Sequence, residues 1–331
     1  MRAALSLTDR QYHAKPLRRI YIPKPGKTTK RPISIPTMHD RAMQALYALA
    51  LQPIAETTAD ARSFGFRLFR SAQDASEYAF TCLARKNSAQ WILEGDIRGC
   101  FDTIAHDRLM EHIPMDRSVL AQFLKAGYIF EERLFPTDQG AAQGGPISPI
   151  LANMTLYGIE GQLAAKFPGM KVNFIRYADD FLVTTPTKEI AEEIRGTIKE
   201  FLAERGLELS MEKTVVTHID DGFGFLGYNF RKYNGKLLIK PSWKSVEAIT
   251  EKIGRTVKRA RAGTQDALIK ALNPIIRGWT NYHRHNVAAE TFKKLDHRIW
   301  KVTWRWGKRR HPDKGHKWIA RRYWQPEGNR K

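Results

Sequence analysis

The amino-acid sequence predicts an α+β fold in two parts, and three observations carry that reading. Up to about residue 239, apolar runs of strand length alternate with helical patterns, punctuated by Gly and Pro. From Ser242 the pattern is helical, roughly over 242–262, 265–284 and 289–307, and ends in a basic tail. Charge divides at the same place: residues 240–331 hold 24 Lys and Arg against 7 Asp and Glu, and residues 1–239 hold 31 against 27. We therefore expect a strand-rich domain over 1–239 and a basic helical domain over 240–331.

The chain has 331 residues and a net charge of +21. No apolar run approaches the length of a membrane span, and the first residues lack the apolar core of a secretory signal. Cys82 and Cys100 lie far apart with no CxxC pair, which excludes a zinc ribbon or a disulfide framework and suits a reducing cytoplasm. The basic last quarter, interleaved with Trp243, Trp279, Trp300, Trp304, Trp306, Trp318 and Trp324, has the composition of a nucleic-acid surface.

Residues 17–36 read as two short strands around a Pro-Gly turn and carry six cations, enough to close over a triphosphate. The same charges suit an edge strand protected from mispairing. A helical pattern follows over His39–Leu51, then a glycine-containing loop over Ser63–Arg67, then a helix capped by Ser71 or Asp74. Trp91–Ile97 reads as a buried strand that brings Asp96 to its end, with a turn and helix continuing through Leu109. Gly140–Pro149 is a Gly/Pro loop leading into one helix over Ile150–Ala165.

Phe174–Val183 reads as strand, tight turn, strand, with Asp179 and Asp180 at the tip. Adjacent strand residues face opposite ways, so the bend must bring the second carboxylate toward the first. With Asp96 these make three carboxylates on neighbouring strands, a donor set suited to Mg²⁺ and to two-metal phosphoryl or nucleotidyl transfer. Pro186–Gly206 reads as an amphipathic helix, Leu207–Val216 as a turn and strand, and Phe223–Phe230 as one aromatic-glycine strand with Lys236–Ile239 as its partner.

Taken in order, these segments resemble the reverse transcriptase/maturase proteins of bacterial group II introns. The resemblance rests on RRIYIPKPGKTTKRPISIP, SFGFR, GDIRGCFDTI, QGGPISPILAN, YADD, LELSMEKT and FLGY. It continues through LNPIIRGWTNYHRH and KLDHRIWKVTWRWGKRRHP. It implies a right-hand polymerase fold, with fingers and an antiparallel palm followed by a helical thumb/maturase region. Asp96, Asp179 and Asp180, with the Ile97 carbonyl, would hold two Mg²⁺ ions. Lys24, Arg31, Phe101 and Gln143 would bind the incoming dNTP, with Phe101 under the sugar, and Lys213 would protonate the departing pyrophosphate. Phe225, Leu226 and Gly227 would form the primer grip. Arg277, Trp279, Tyr282, Arg305, Lys308, Arg309 and Arg310 would contact the template–primer duplex and the intron RNA.

The resemblance implies an RNA-directed DNA polymerase that also assists splicing and retromobility. An RNA-binding maturase/splicing factor with weak or no polymerase activity, and a related reverse transcriptase recruited to phage defence, stand as alternatives. Relatives carry a longer segment before Leu17, so the N-terminal extension is expected to be short or missing. The Cys-containing endonuclease module is expected to be absent. Oligomeric state is open.

Overall fold

The computed structural model describes residues 12–23 and 28–324, which fall into two compact units dividing between His218 and Ile219. Among the described residues no helix is long and apolar enough to cross a membrane, and both cysteines are free thiols.

The first unit opens on β1 (Leu17–Pro23) and β2 (Lys30–Ile35), an antiparallel hairpin with Arg18 opposite Ile35. Helix α1 (Met38–Thr58) starts where Thr37 accepts the Asp40 backbone N–H at 3.2 Å. Helix α2 (Ala72–Leu83) is opened by Ser71 and Asp74 acting together as a capping box, so both candidate residues take part. The buried strand β3 (Trp91–Arg98) runs into α3 (Cys100–Thr103) and α4 (His106–His112), two short helices in place of one. After α5 (Arg117–Lys125), β4 (Tyr128–Phe130) pairs parallel to β1 and antiparallel to β5 (Arg133–Phe135). This gives a four-stranded sheet of order β2-β1-β4-β5.

The helix expected over 150–165 is two, α6 (Ser148–Leu156) and α7 (Ile159–Lys166), because Tyr157 between them is extended. Strands β6 (Asn173–Tyr177) and β7 (Asp180–Thr185) form the predicted hairpin. Helix α8 (Lys188–Ala203) is followed by β8 (Glu208–Leu209) and β9 (Val215–His218). In the main sheet β3 pairs antiparallel with β7, β8 and β9, and β6 pairs on the far side of β7. Ile194, Ile198 and Phe201 of α8 join Leu93, Phe181 and Val183 of the sheet and Leu151 of α6 in one core. That core fixes the sheet whose ends carry the carboxylates.

The second unit begins with β10 (Phe223–Phe225), β11 (Tyr228–Tyr233) and β12 (Lys236–Pro241), an antiparallel sheet in that order. Residues 223–230, read as one strand, are therefore two: the chain reverses at Leu226-Gly227 and sets Phe225 opposite Tyr228. Then come α9 (Trp243–Arg259), α10 (Gln265–His283), α11 (Ala289–Arg310) and α12 (His316–Tyr323). The last of these lies where a basic tail was expected; it forms because Ile319 is buried. The small sheet groups with the helices rather than with the first unit. Val287 donates its N–H to the Ile239 carbonyl at 2.9 Å, and Tyr228 stacks on Tyr282 at 5.0 Å. On α9, Ile249, Ile253 and Val257 recur every four residues and pack against Leu268, Leu272, Leu295 and Trp306.

Candidate active site

Register brings the carboxylates together. Asp96 on β3 sits directly opposite Asp180 on β7, and the Ile97 N–H donates to the Asp179 carbonyl at 3.2 Å. The Asp180 carboxyl lies within hydrogen-bond reach of Asp96. Burial is the main cause that raises the Asp179 carboxyl above the ordinary range; the neighbouring Asp96 adds to it, and Lys213 and Arg31 work against it. Asp180 keeps an exposed edge, yet loss of surrounding water, then the charges of Asp179 and Asp96, push it up to about 6. Three negative groups crowded in a part-desolvated corner favour a nearby positive charge.

The structure supplies one. Lys213, in the turn between β8 and β9, places Nζ 2.7 Å from both Asp96 carboxylate oxygens. Its turn is tied to the same strand, because the Ser210 N–H donates to the Asp96 carbonyl at 2.8 Å. Among the described residues no group of three or more His, Cys, Asp or Glu is arranged to hold a metal ion as it stands. The donor chemistry still suits a hard divalent cation: three neighbouring carboxylates, two of them raised by burial and by nearby carboxylates, with an ammonium paired to the third.

The hairpin tip is held from below by residues the sequence analysis did not single out. Arg176 is buried and donates from Nη1 to the Ala178 carbonyl at 3.1 Å and to Asn153 Oδ1 at 3.0 Å. Asn153 Nδ2 donates in turn to the Gly65 carbonyl at 2.8 Å. Burial pulls the Arg176 guanidinium below its ordinary range, and Asp60 is the largest opposing influence. Ala178 sits at φ 58°, an uncommon conformation for a residue with a Cβ, and the chain at Gly65 presses against it. A Cβ on Gly65 would stand 2.3 Å from the Ala178 nitrogen. The SFGFR segment was visible as a loop; its role as the floor of the hairpin was not, because no local pattern encodes that contact.

Phe101, Asp102 and Gln143 line a cavity of ≈ 570 Å³ together with Arg19 and Tyr128. The Gly/Pro loop clasps the α3 turn to make it: the Ala141 N–H donates to the Phe101 carbonyl and the Gly140 N–H to the Ile104 carbonyl, both at 2.7 Å. Gly140 lies at φ 84°, and a Cβ there would meet the Phe101 and Asp102 carbonyl oxygens at 2.7 Å. Gln143 Nε2 lies 3.4 Å from Asp102 Oδ2, and the Phe101 ring meets the edge of Phe66 at 6.1 Å. Arg19 adds a cation that sequence reading left unassigned; it stacks over Tyr128 at 3.6 Å and donates to Ser34 Oγ at 2.9 Å. Arg31 is exposed on β2 and acts on Asp179. Lys24 lies outside the described residues.

In the second unit, Phe225 ends β10 while Leu226 and Gly227 form the turn, with Leu226 at φ 50°. Tyr282 Oη donates to the Leu226 carbonyl at 2.7 Å, so Tyr282 supports that turn from within the unit. Trp279 Nε1 donates to Ser245 Oγ at 2.9 Å, and Arg310 Nη1 to the Gly263 carbonyl at 2.6 Å. Arg277, Arg305, Lys308 and Arg309 are exposed. Of the seven residues assigned to RNA, four thus point to solvent and three are engaged in the fold.

His283 completes this knot. Ser245 Oγ accepts from Trp279 and shares a second hydrogen bond of 3.0 Å with His283 Nε2. Burial lowers the His283 pKa to about 4. Between about 6.5, the unfolded value, and that folded value the unfolded chain binds more protons. Stability of this unit therefore falls as pH drops through that window, by about 2 kcal/mol at about pH 5. Urea unfolding across this range should show the slope in the wild type and a flatter one in His283→Gln; equal slopes would exclude His283 as the cause.

Residues 22–230 match the family described as reverse transcriptase (RNA-dependent DNA polymerase), and residues 246–324 match the group II intron maturase-specific domain. The group II intron-encoded protein LtrA of Lactococcus lactis subsp. cremoris is 30% identical over 293 residues, covering 68% of this chain and 48% of the relative. Protein YkfC of Escherichia coli K12 is 32% identical over 265 residues, covering 67% of this chain and 68% of the relative. The chain thus spans about half the length of LtrA. Telomerase from Candida albicans, solved with a fragment of telomeric RNA, superposes with a TM-score of 0.54 at 14% identity, covering 89% of this chain and 59% of that one. This likeness establishes the right-hand polymerase fold. With the polymerase profile over its strand-rich part and the maturase profile over its basic helices, the chain belongs to the group II intron reverse transcriptase/maturase family.

Proposed function

We propose that this protein is an RNA-directed DNA polymerase that also binds group II intron RNA to assist splicing and retromobility. The observation that carries the reading is the register that sets Asp96 opposite Asp180 beside Asp179, with Lys213 paired to Asp96. The first unit would supply fingers and palm and the second the thumb/maturase region, with Phe225, Leu226 and Gly227 as primer grip. Two free thiols suit a cytoplasmic setting.

The reaction joins the primer 3′ oxygen to the α-phosphorus of a dNTP and breaks the bond to pyrophosphate. Asp96, Asp179 and Asp180, with the Ile97 carbonyl, would hold two Mg²⁺ ions, which supply neutralisation for the attacking and leaving oxygens when bound. Arg31, Arg19 and Lys24 would receive the triphosphate; a guanidinium matches phosphate through paired N–H groups. Gln143 and Phe101 shape the base and sugar pocket. Lys213, paired with Asp96, would give a proton to the pyrophosphate oxygen as the bond breaks. Little covalent chemistry is asked of the protein; positioning and fixed charge do the catalysis.

Primer extension on an RNA template with dNTPs and Mg²⁺ tests the reading. Extension supports the polymerase, whereas tight intron-RNA binding without extension leaves only the splicing role. Phe101→Ala should lower discrimination against ribonucleotides about tenfold or more, because the ring occupies the room a 2′-OH needs. Unchanged kcat/KM ratios for paired ribo- and deoxyribonucleotides would remove it from that role. RNA affinity should fall about 10³-fold between about 50 and 200 mM salt if some six phosphates are neutralised. A flat response would contradict a backbone-binding second unit.

A further inference from the structure

We infer that the His297–Trp300–Trp304 face of α11 is a stacking rail for unpaired RNA bases, an inference that rests on the second unit being RNA-binding. Helix α11 carries two stripes. Leu295, Ile299, Val302 and Trp306 recur at three- and four-residue steps and pack the core. His297, Trp300 and Trp304 recur at the same steps on another face, and that face is not needed for the core. Trp300 is 47% exposed and His297 is exposed.

The rings are nearly parallel. His297 and Trp300 lie 6.1 Å apart with planes 12° from parallel, and Trp300 and Trp304 lie 5.7 Å apart at 19°. At those separations parallel rings overlap only at their edges, as in a staircase, and each keeps part of its face open. The lower end is anchored, since Trp304 also meets Trp324 at 5.1 Å and His316 at 5.6 Å. Pre-ordered rings lose little freedom when a base is added.

Charge completes the match. Exposed Lys293 and Lys308 continue the stripe at four-residue steps beyond either end, and exposed Lys301 lies four residues on from His297. Lys293 and Lys308 stand fifteen residues apart, roughly 22 Å of helix. A duplex hides its base faces and needs only the cations. Flat rings between cations fit a strand whose bases are unstacked and whose phosphates run alongside.

The test is equilibrium binding of the full chain to a short single-stranded RNA and to a duplex of equal length, over a series of salt concentrations. Trp300→Ala should weaken single-strand binding about tenfold or more, with the log–log salt slope unchanged because no phosphate contact is lost. Duplex affinity should stay within about twofold, and Trp300→Phe should restore most of the loss. His297→Ala, at an exposed ring that packs no core, should show the same selectivity and guards against a folding defect in the tryptophan variant. Equal losses on both RNAs, or no loss on the single strand in either alanine variant, would overturn the rail while leaving RNA binding intact. Binding of neither RNA by the wild type would overturn the RNA-binding reading and the rail with it.

Discussion

Replacing Asp179 with alanine should reduce RNA-templated primer extension at least about a hundredfold, the scale of losing one fixed charge partner at a reacting centre. RNA affinity should persist, since the excess positive charge lies in residues 240–331. The same substitution should not destabilise the metal-free protein. Burial and the neighbouring Asp96 both disfavour the charged form of Asp179, so its folded pKa lies above its unfolded one. At neutral pH that rise counts against the folded state, and removing the carboxyl relieves the penalty. Thermal melting in chelator should therefore give a midpoint for Asp179→Ala equal to or above wild type. A loss of extension accompanied by a lowered midpoint would mean that the variant misfolds, and the carboxylate assignment would lose its support. Active sites commonly trade stability for function in this way.

Gly65→Ala should be nearly as damaging for a different reason. The added methyl would press on the Ala178 nitrogen at 2.3 Å and the Tyr177 carbonyl carbon at 2.9 Å, both backbone atoms with nowhere to rotate. Gly65 and the tip cannot move apart freely, because Asn153 and Arg176 tie the Gly65 and Ala178 carbonyls to one another. Overpacking of this kind costs about 1–3 kcal/mol or more, and any relief moves the carboxylates off register. Gly196→Ala on the exposed face of α8 is the control. Nothing lies within 4 Å of its new methyl, so helix propensity should make it neutral or stabilising by up to about 1 kcal/mol. Urea unfolding together with primer extension below both midpoints separates the effects. Wild-type activity in Gly65→Ala would show that the tip does not depend on this contact.

The sequence made the acidic hairpin legible because alternation and spacing are local. Trp91–Ile97 and Phe174–Val183 each announce a strand, and strand pairing then fixes Asp96 opposite Asp180. What lay beneath the tip was hidden. Arg176 reads as an ordinary polar residue beside a strand end, and only tertiary structure turns it inward. The turn at Leu226-Gly227 was missed because leucine is not a turn former. It reaches φ 50° there with Tyr282 bonded to its carbonyl. Helix α12 was taken for tail because Lys317, Arg321 and Arg322 crowd its eight residues, yet buried Ile319, together with Tyr323 packed on Trp306 at 5.3 Å, docks it. Trp300 and Trp304 were seen as composition, not as an ordered stack.

Strand β3 has a consequence for synthesis on the ribosome. Its partners β7, β8 and β9 all lie downstream, the last of them ending at His218. At about 5–20 residues per second, the 120 residues between Arg98 and His218 take roughly 6–24 s to emerge. During that interval an apolar strand is in the open with both edges unpaired, a template for association with other nascent chains. The sheet that carries the carboxylates is thus the last part of the first unit able to close. Slower translation lengthens the exposure, and a chaperone that covers β3 would shorten its effect.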